Sequence, residues 1–250
     1  MKQSDLKFSR TMQLLSKNAM EKIQKAKVAV FGLGGVGSFA TEAIVRTGVK
    51  NICLVDFDTI DISNINRQLL ALHSSVGKQK VLLAKERIKD INPEACVKVY
   101  NSFVNKDSLE NLLSKDFDVV VDAIDGLNSK INLLEHAILL NLDVVSSMGA
   151  SGRIDISMIR TGDISETSVC PLARVVRQRL HRRGIYKGIR AVYSIEKPLN
   201  KNYLTIEQEN KKKEHGRKRH DIGSISWVPG IFGLTIASEV INIIMTKTKA

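Results

Sequence analysis

A glycine-rich turn is the first place in the chain where residue types and spacing indicate chemistry. Apolar residues 28–31 lead into Gly32-x-Gly-Gly-x-Gly37, and residues 38–46 are predicted to form a helix. Gly32 allows a tight turn, Gly34 lets the backbone approach a phosphate, and Gly37 lets the helix pack on the strand. The first N–H groups of that helix would face the anion. Nicotinamide, flavin and ATP sites can all begin with such a turn, as can a plain strand-to-helix connection.

An acidic segment follows the next predicted strand, residues 51–55. Asp56 lies 22 residues after Gly34, and Asp58 and Asp61 are close by. An acid at the carboxyl end of this strand commonly binds the ribose hydroxyls of a nucleotide. The alternative is an acid that caps a helix or lies on the surface, and the position after a strand favours the ligand role.

A polar segment, Ser63-Asn-Ile-Asn-Arg-Gln68, then adds groups that a dehydrogenase does not need. Asn64, Arg67 and Gln68 can share one side of a short helix, because they are three and four residues apart. Arginine makes bidentate phosphate contacts. Lys80 lies near the start of a predicted helix, where a cation opposes the helix dipole unless an anion lies between them. Together with the glycine turn, these residues predict a triphosphate site.

Two more carboxylates, Asp122 and Asp125, end an apolar predicted strand over residues 117–121. A carboxylate beside phosphates usually holds Mg²⁺, which prefers oxygen ligands. Asp125 is the better candidate for the metal, and Asp122 is expected to cap or orient. We expect neither carboxylate in the core, because an unpaired buried carboxylate is costly.

Strand and helix patterns alternate over residues 27–147, which predicts an α/β fold. Further strands are predicted at residues 96–100 and 143–147, and helices at residues 11–26, 77–92, 106–115 and 127–142. This rhythm indicates a Rossmann-like, doubly wound, mainly parallel sheet whose ligands bind at the carboxyl ends of the strands. We divide the chain into an N-terminal helical arm (1–26), a nucleotide-binding domain (27–160) and a basic C-terminal extension of the same fold (161–250).

The pattern changes after Gly149. Strands are predicted at 153–159, 189–194 and 224–228, and a basic amphipathic helix at 168–183. Residues 197–223 are interpreted as a mobile loop. Residues 225–245 are apolar over about the 20 residues that a membrane span needs. We expect Pro229, Gly230 and Gly233 to break this stretch early, which leaves a final helix at 231–245 that is buried rather than membrane-spanning.

The net charge of +12 is concentrated in the second part of the chain. Residues 1–150 carry 19 Lys/Arg and 17 Asp/Glu, whereas residues 151–250 carry 19 and 9. A one-sided basic field predicts an acidic partner such as nucleic acid, although solubility and an acidic protein are alternatives. The cysteines, Cys53, Cys96 and Cys170, form no C-x-x-C pair, and no secretory signal is visible at the N-terminus. These features predict a cytoplasmic protein without a disulfide framework.

In this order, the motifs resemble the ubiquitin-activating-enzyme-like adenylyltransferases. The resemblance rests on Phe8-Ser-Arg10, the glycine turn, Asp56-Phe-Asp58, Ser63–Gln68, Lys80 and Asp122-Ala-Ile-Asp125. It implies binding of ATP and Mg²⁺ and transfer of AMP to a substrate carboxylate. By resemblance, Asp56 binds the ribose, the phosphates contact Asn64, Arg67 and Lys80, and Asp125 holds the metal. Arg10 would reach the ATP of a neighbouring subunit, which implies a homodimer.

The second half resembles one branch of that superfamily, the tRNA threonylcarbamoyladenosine dehydratases. The matched stretches are Ser147–Asp155, Pro171-Leu-Ala-Arg174 with Arg177, Arg182-Arg-Gly184, Val192-Tyr-Ser194 and Gly223–Ser226 with Pro229. This implies dehydration of a modified adenosine beside the tRNA anticodon. Candidate tRNA contacts are Arg174, Arg177, Arg182, Lys211, Lys212, Lys213, Arg217, Lys218 and Arg219. Cys170 stands where the resemblance implies an acid, and both a nucleophile and a small neutral replacement stay open.

Three other functions remain as alternatives. An adenylyltransferase for a ubiquitin-like sulfur-carrier tail would use the same ATP residues, but the paired zinc cysteines common in those enzymes are absent from the sequence. A nicotinamide oxidoreductase needs no triphosphate and metal groups. A non-catalytic RNA-binding module would not need the full set of candidate ATP residues. A sulfur-relay partner is left open.

Overall fold

The computed structural model describes residues 6–199 and 222–247. Seven strands form one sheet in the order β3-β2-β1-β4-β5-β7-β6. The strands are β1 Lys27–Phe31, β2 Asn51–Val55, β3 Cys96–Tyr100, β4 Val119–Asp122, β5 Asp143–Ser147, β6 Ile159–Asp163 and β7 Arg190–Ser194. All neighbouring strands are parallel except β6 and β7, which are antiparallel. The predicted Rossmann-like fold is confirmed.

Helices cover both faces of the sheet. They are α1 Ser9–Leu14, α2 Lys17–Lys25, α3 Gly37–Thr47, α4 Lys80–Ile91, α5 Lys106–Leu112, α6 Leu127–Leu139, α7 Pro171–His181 and α8 Trp227–Thr246. Alternate residues of β1 face opposite sides: Val28 and Val30 pack with α2, α3, α4 and α8, whereas Ala29 and Phe31 pack with α5, α6 and α7. Two apolar cores therefore hold the sheet between the helices.

The strand order reverses at β1. This strand pairs with β2 on one side and with β4 on the other. The chain therefore adds β2 and β3 on one side of β1, and then places β4 and β5 on the opposite side. In doubly wound sheets, ligands bind in the crevice at the carboxyl ends of the strands beside such a switch point. The glycine turn, Asp56 and Asp122 all lie at this end.

Two predicted strands are wrong. Residues 153–159 form a loop and a short 3₁₀ helix, Ile156–Met158, before β6 begins at Ile159. The Asp155 carboxylate accepts hydrogen bonds from the hydroxyl and the N–H of Ser157, which lower the pKa of Asp155. These local hydrogen bonds compete with the strand pairing that the alternating residues 153–159 predicted.

The strand predicted at 224–228 is replaced by the start of α8 at Trp227. Pro229 falls in the first turn, where a missing N–H costs nothing, and the helix continues through Gly230 and Gly233 instead of breaking. A Cβ on Gly233 would lie 2.5 Å from Val36 O, so glycine permits the close packing of α8 on α3. α8 is long and apolar enough to cross a membrane by length and composition alone, but half of its residues are buried in the fold.

Several helix boundaries also differ. The helix predicted at 11–26 is divided into α1 and α2, because Ser16 caps α2 by accepting a hydrogen bond from Ala19 N. The helix predicted at 77–92 begins at Lys80, since Gly77 adopts φ +83°. The predicted loop at 197–223 lies mostly outside the described residues.

Candidate active site

The glycine turn is fixed by backbone contacts with both neighbouring strands. Gly32 N donates to Val55 O at 2.8 Å, and Ala123 N donates to Phe31 O at 2.8 Å. Gly32 adopts φ +91°, and an added Cβ would lie 2.7 Å from Ala123 O. A Cβ on Gly37 would collide with Gly32 O, so a side chain at either position is excluded.

The turn presents the start of α3 to the crevice. The first N–H groups of a helix have no partner within it, and no side chain among the described residues caps α3. A Cβ on Gly34 would have only Gln68 Nε2 nearby, at 3.9 Å, whereas one on Gly35 would meet Arg67 O at 3.2 Å. The open side at Gly34 and the N–H groups beside it suit an anion.

Asp56 orders this turn. Its carboxylate accepts hydrogen bonds from Leu33 N at 2.6 Å and Asp58 N at 2.8 Å, and the residue is 8% exposed. Burial raises the pKa of Asp56, while the charge of Lys80 and the two N–H donors act in the opposite direction. Asp56 thus lies where the sequence predicted it, and it also supports the backbone of the glycine turn.

Lys80 lies beside this acidic segment and is itself buried. Its ammonium donates to Asp58 Oδ2 at 2.9 Å. The sequence predicted an anion between Lys80 and the start of its helix, and Asp58 supplies it. The Asp58 side chain remains 44% exposed. An incoming phosphate would compete with Asp58 for Lys80.

The 63–68 segment packs against the glycine turn. The Asn64 side-chain oxygen accepts from Asp61 N at 3.2 Å, and Arg67 Nη1 donates to Ser63 O at 2.9 Å. Gln68 is buried, and its Oε1 has no hydrogen-bond partner within the described ranges. Its Nε2 is the group nearest to Gly34, so Gln68 presents a donor toward the open side of the turn.

The expectation that neither carboxylate lies in the core is wrong for Asp122. Asp122 and Lys130 are both fully buried, with Lys130 Nζ 2.5 Å from Asp122 Oδ2. The same carboxylate accepts from Ser146 Oγ at 2.6 Å and from Ile124 N at 3.1 Å. A paired and hydrogen-bonded carboxylate tolerates burial. Asp122 therefore cannot face a nucleotide directly; it supports the backbone that leads to Asp125.

Lys130 is the buried partner of Asp122, and the sequence patterns above did not predict this ion pair. It lies on the apolar side of α6 with Leu127, Leu134 and Ala137, at helical spacing. A lysine within an apolar helical stripe requires a buried anion, so this pattern in the sequence could have predicted the ion pair. Lys130 Nζ also donates to Ser147 O at 2.9 Å and so joins α6, β4 and β5 at one edge.

Asp125 and Arg10 are both exposed, in different surroundings. Asp125 follows Ala123 and Ile124, the segment against which Gly32 packs, so this exposed residue lies at the edge of the crevice. Arg10 is on α1 and has no hydrogen-bond or ion-pair partner within residues 6–199 and 222–247. Phe8, two residues before Arg10, has its ring 4.0 Å from the position of a Cβ on Gly48, at the end of α3 opposite to the glycine turn.

The candidate tRNA residues fall into three groups. Arg174 and Arg182 are exposed on and just after α7. Arg177 is half-buried, and its Nη1 donates to the backbone oxygen and the hydroxyl of Thr167. The remaining candidates lie outside the described residues: Lys211, Lys212, Lys213, Arg217, Lys218 and Arg219.

Comparison with known proteins defines the family. The sequence model of the ThiF family matches residues 8–250. The chain belongs to the ThiF family. A tRNA threonylcarbamoyladenosine dehydratase of Bacillus subtilis is 39% identical and aligns over 94% of this chain and 92% of its own. A molybdopterin-synthase adenylyltransferase of Haemophilus influenzae is 29% identical and covers 61% of this chain.

Solved structures agree with this assignment to the ThiF family. The tRNA N6-threonylcarbamoyladenosine dehydratase of Escherichia coli has been solved with AMP and with ATP. The two structures superimpose on this chain with TM-scores of 0.86 and 0.85 at 31% identity. Each alignment covers 96% of this chain and at least 94% of the other. This ThiF-family chain therefore shares its fold with a protein that has been solved with both nucleotides.

The carboxylates of this ThiF-family chain fit one kind of metal site. No cluster of three or more His, Cys, Asp or Glu that could hold a metal occurs in the described part of the chain. Mg²⁺ is usually held by one or two carboxylates together with substrate phosphates, rather than by a complete protein cage. Asp125 follows the segment that packs against the glycine turn and suits that arrangement.

Proposed function

We propose that this chain catalyses the ATP-dependent dehydration of threonylcarbamoyladenosine next to the tRNA anticodon. The proposal is carried by the match to the Bacillus subtilis dehydratase over nearly the full length of both chains. The phosphate-binding geometry of the glycine turn and the excess of basic residues after position 150 support it. The match to the molybdopterin-synthase adenylyltransferase covers much less of the chain.

The reaction proceeds in two steps. One oxygen of the threonyl carboxylate attacks the α-phosphorus of ATP, forms an acyl adenylate and releases pyrophosphate. The carbamoyl group of the same nucleoside then attacks the activated carbonyl carbon and gives up one proton, and AMP leaves with the carboxylate oxygen. Net loss is one water. Because the second step joins two groups of one molecule, proximity replaces an enzyme nucleophile.

The residues of this chain hold and orient the reactants. Asp56 accepts hydrogen bonds from the ribose hydroxyls, and the start of α3 faces the phosphates. Asn64, Arg67, Gln68 and Lys80 contact the phosphates, with Asp58 releasing Lys80 when ATP enters. Gly34 and Gly35 leave the line of attack on the α-phosphorus open. Asp125 would hold Mg²⁺, which supplies charge neutralisation at the phosphates when bound.

The experiment that tests the proposal combines the protein, Mg·ATP and tRNA bearing threonylcarbamoyladenosine. Digestion to nucleosides and mass spectrometry should show the modified adenosine lighter by one water, only when ATP is present. tRNA lacking the modification is the matched control. An unchanged nucleoside, together with ATP-dependent adenylation of a sulfur-carrier C-terminus, would replace the proposal with the alternative function.

Protonation of Asp56 is expected to weaken nucleoside binding. Burial raises the pKa of Asp56 above the usual 3.8. The ionised form accepts ribose hydroxyls, so adenosine affinity should fall as pH decreases through this raised pKa. The effect of Asp56 on stability has the opposite direction. Because its pKa is raised in the folded chain, Asp56 stabilises the fold at a pH below its pKa in the unfolded chain. That contribution is lost as the pH rises through its pKa in the folded chain.

The measurement is the dissociation constant of adenosine, which carries no titrating phosphate, determined by calorimetry from neutral pH downward. Asp56→Asn should bind weakly with a flat profile, whereas Asp116→Asn, an exposed acid of the surface, should follow the native profile. A pH dependence that persists in Asp56→Asn would exclude Asp56 as its source.

We further propose a homodimer in which Arg10 acts on the ATP of the partner subunit. Its exposure on α1, away from the glycine turn of its own chain, supports an action in trans. The proposed location is the cytoplasm, consistent with three free cysteines.

Mixing two inactive variants tests the arrangement. Arg10→Ala and Asp125→Asn should each be inactive, but after subunit exchange about a quarter of the native activity should return, since half of randomly paired dimers carry one intact site of two. The mixed sample is compared with each variant alone at the same total concentration. No recovery in a sample whose exchange is verified would place Arg10 in its own subunit's site or outside the chemistry.

A further inference from the structure

A cavity of about 370 Å³ lies at the N-terminal end of α7. Its walls are formed by Val169, Cys170, Pro171, Arg174 and Arg177. Two of these five residues are cationic and none is acidic. The cavity is separate from the glycine turn and takes no part in holding ATP as described above.

The cavity lies at the same edge of the sheet as the glycine turn. Cys170 Sγ and Leu172 Cβ are 3.6 and 3.7 Å from the position that a Cβ on Gly149 would occupy. Gly149 follows the carboxyl end of β5 by two residues. β5 is two strands from β1, and neighbouring strands are about 4.8 Å apart, so the cavity is roughly 10 Å from the glycine turn along the sheet.

A third guanidinium lies near Cys170, beside Gly149. Arg153 is 3% exposed, and its Nη1 is 3.3 Å from the same point beside Gly149. Its hydrogen bonds go only to the backbone oxygens of Gly149, Ser151 and Glu196, and Nη2 has no partner in the described part of the chain. No carboxylate of the described residues forms a direct ion pair with Arg153; the Glu196 carboxylate is nearby but accepts from the N–H groups of Ile154 and Asp155. A buried positive charge without a counter-ion is costly, and an anion in the adjoining cavity would offset it.

The cavity is also held in shape before any ligand enters. Arg177 is fixed by its two hydrogen bonds to Thr167, so little of its side-chain freedom remains to be lost on binding. Val169 adopts φ +61°, a left-handed conformation that is uncommon for a β-branched residue. Such strain is concentrated at ligand clamps, where the surrounding structure maintains it.

We propose that this cavity binds a backbone phosphate adjacent to the modified adenosine. The inference rests on the proposed function, in which the threonyl carboxylate reacts beside the glycine turn. The modified base carries that carboxylate at one end and its sugar and phosphates at the other. A cationic cavity displaced along the edge of the sheet from the reacting carboxylate therefore fits the sugar–phosphate end of the same nucleotide. A phosphate group of bound ATP shares this chemistry and is distinguished by the test.

The test pairs a change in the RNA with a change in the protein. The RNA is an anticodon stem–loop bearing threonylcarbamoyladenosine, with one uncharged methylphosphonate either beside that nucleotide, on its 5′ or 3′ side, or far away in the stem. The proteins are the native chain, Arg174→Gln and, as a matched loss of one exposed arginine, Arg160→Gln. Both kcat/KM for dehydration and the dissociation constant without ATP are measured.

With native protein, a methylphosphonate on one side of the modified nucleotide should lower kcat/KM and affinity about tenfold or more, the range of a charge-assisted hydrogen bond. Arg174→Gln should lose a similar factor with unaltered RNA and nothing further with that methylphosphonate. The stem methylphosphonate and Arg160→Gln should change neither measurement more than about twofold.

Two results would overturn the inference while leaving the proposed function intact. Independent losses from Arg174→Gln and the adjacent methylphosphonate would show that they do not contact each other. A raised KM for ATP in Arg174→Gln, with unchanged RNA affinity, would assign the cavity to a phosphate from ATP. Failure of native protein to dehydrate the unaltered stem–loop and full-length tRNA would instead contradict the proposed function itself.

Discussion

Replacing Lys130 with methionine is expected to lower the free energy of unfolding by about 3–5 kcal/mol, the usual cost of removing one partner from a buried ion pair. Methionine fills a similar volume but leaves the fully buried Asp122 carboxylate without its counter-ion. The hydrogen bond from Lys130 to Ser147 O is lost as well. Because Asp122 also accepts from Ile124 N, the segment that carries Asp125 should lose its support.

Urea denaturation measures this change, with two comparisons. Lys50→Met removes a partly exposed lysine that pairs with Glu94 at 2.9 Å, and it should cost less than about 1 kcal/mol. Combining Lys130→Met with Asp122→Asn should recover part of the loss, since no charge is then left unpaired. A Lys130→Met chain as stable as the Lys50→Met chain would show that the pair does not hold this edge of the sheet.

Asp125→Asn is expected to reduce adenylation by about a hundredfold or more without destabilising the chain. The substitution keeps the shape of the side chain and removes the charge that would hold Mg²⁺ at the phosphates; metal contributions of several kcal/mol correspond to losses of this size. Asp125 is exposed, and substitutions at exposed positions usually change stability by no more than about 0.5 kcal/mol.

Pyrophosphate release with saturating RNA measures adenylation, and thermal unfolding measures stability. Asp116→Asn, another exposed acid in the same half of the chain, should match the native protein in both. Native rates of pyrophosphate release from Asp125→Asn would remove its metal role. A large drop in unfolding temperature would instead make it a structural residue.

Most of the fold could be predicted from the sequence because each element is indicated by a pattern among neighbouring residues. Apolar strands such as β1 and β4, the glycine turn and the amphipathic helices each report their own structure over a few residues. The position of Asp56 after β2 followed from the same rule, since carboxyl ends of parallel strands meet at one edge.

The failures came from contacts that join distant or unexpected groups. The burial of Asp122 depends on Lys130, eight residues away on a helix, and Asp58 supplies the anion for Lys80 across 22 residues. Residues 153–159 alternate between polar and apolar types as a strand would, but the hydrogen bonds that Ser157 donates to Asp155 form a turn instead. At Trp227 the helix starts early because Pro229 falls in its first turn.

The most direct test of the central claim follows the oxygen atoms of the threonyl carboxylate. tRNA carrying ¹⁸O in both carboxylate oxygens is incubated with the protein and Mg·ATP under single-turnover conditions, and the nucleotides and nucleosides are weighed by mass spectrometry. The adenylation mechanism predicts that AMP gains one ¹⁸O while the dehydrated nucleoside keeps the other. Dehydration that leaves AMP unlabelled, or that places the label in inorganic phosphate beside ADP, would contradict it.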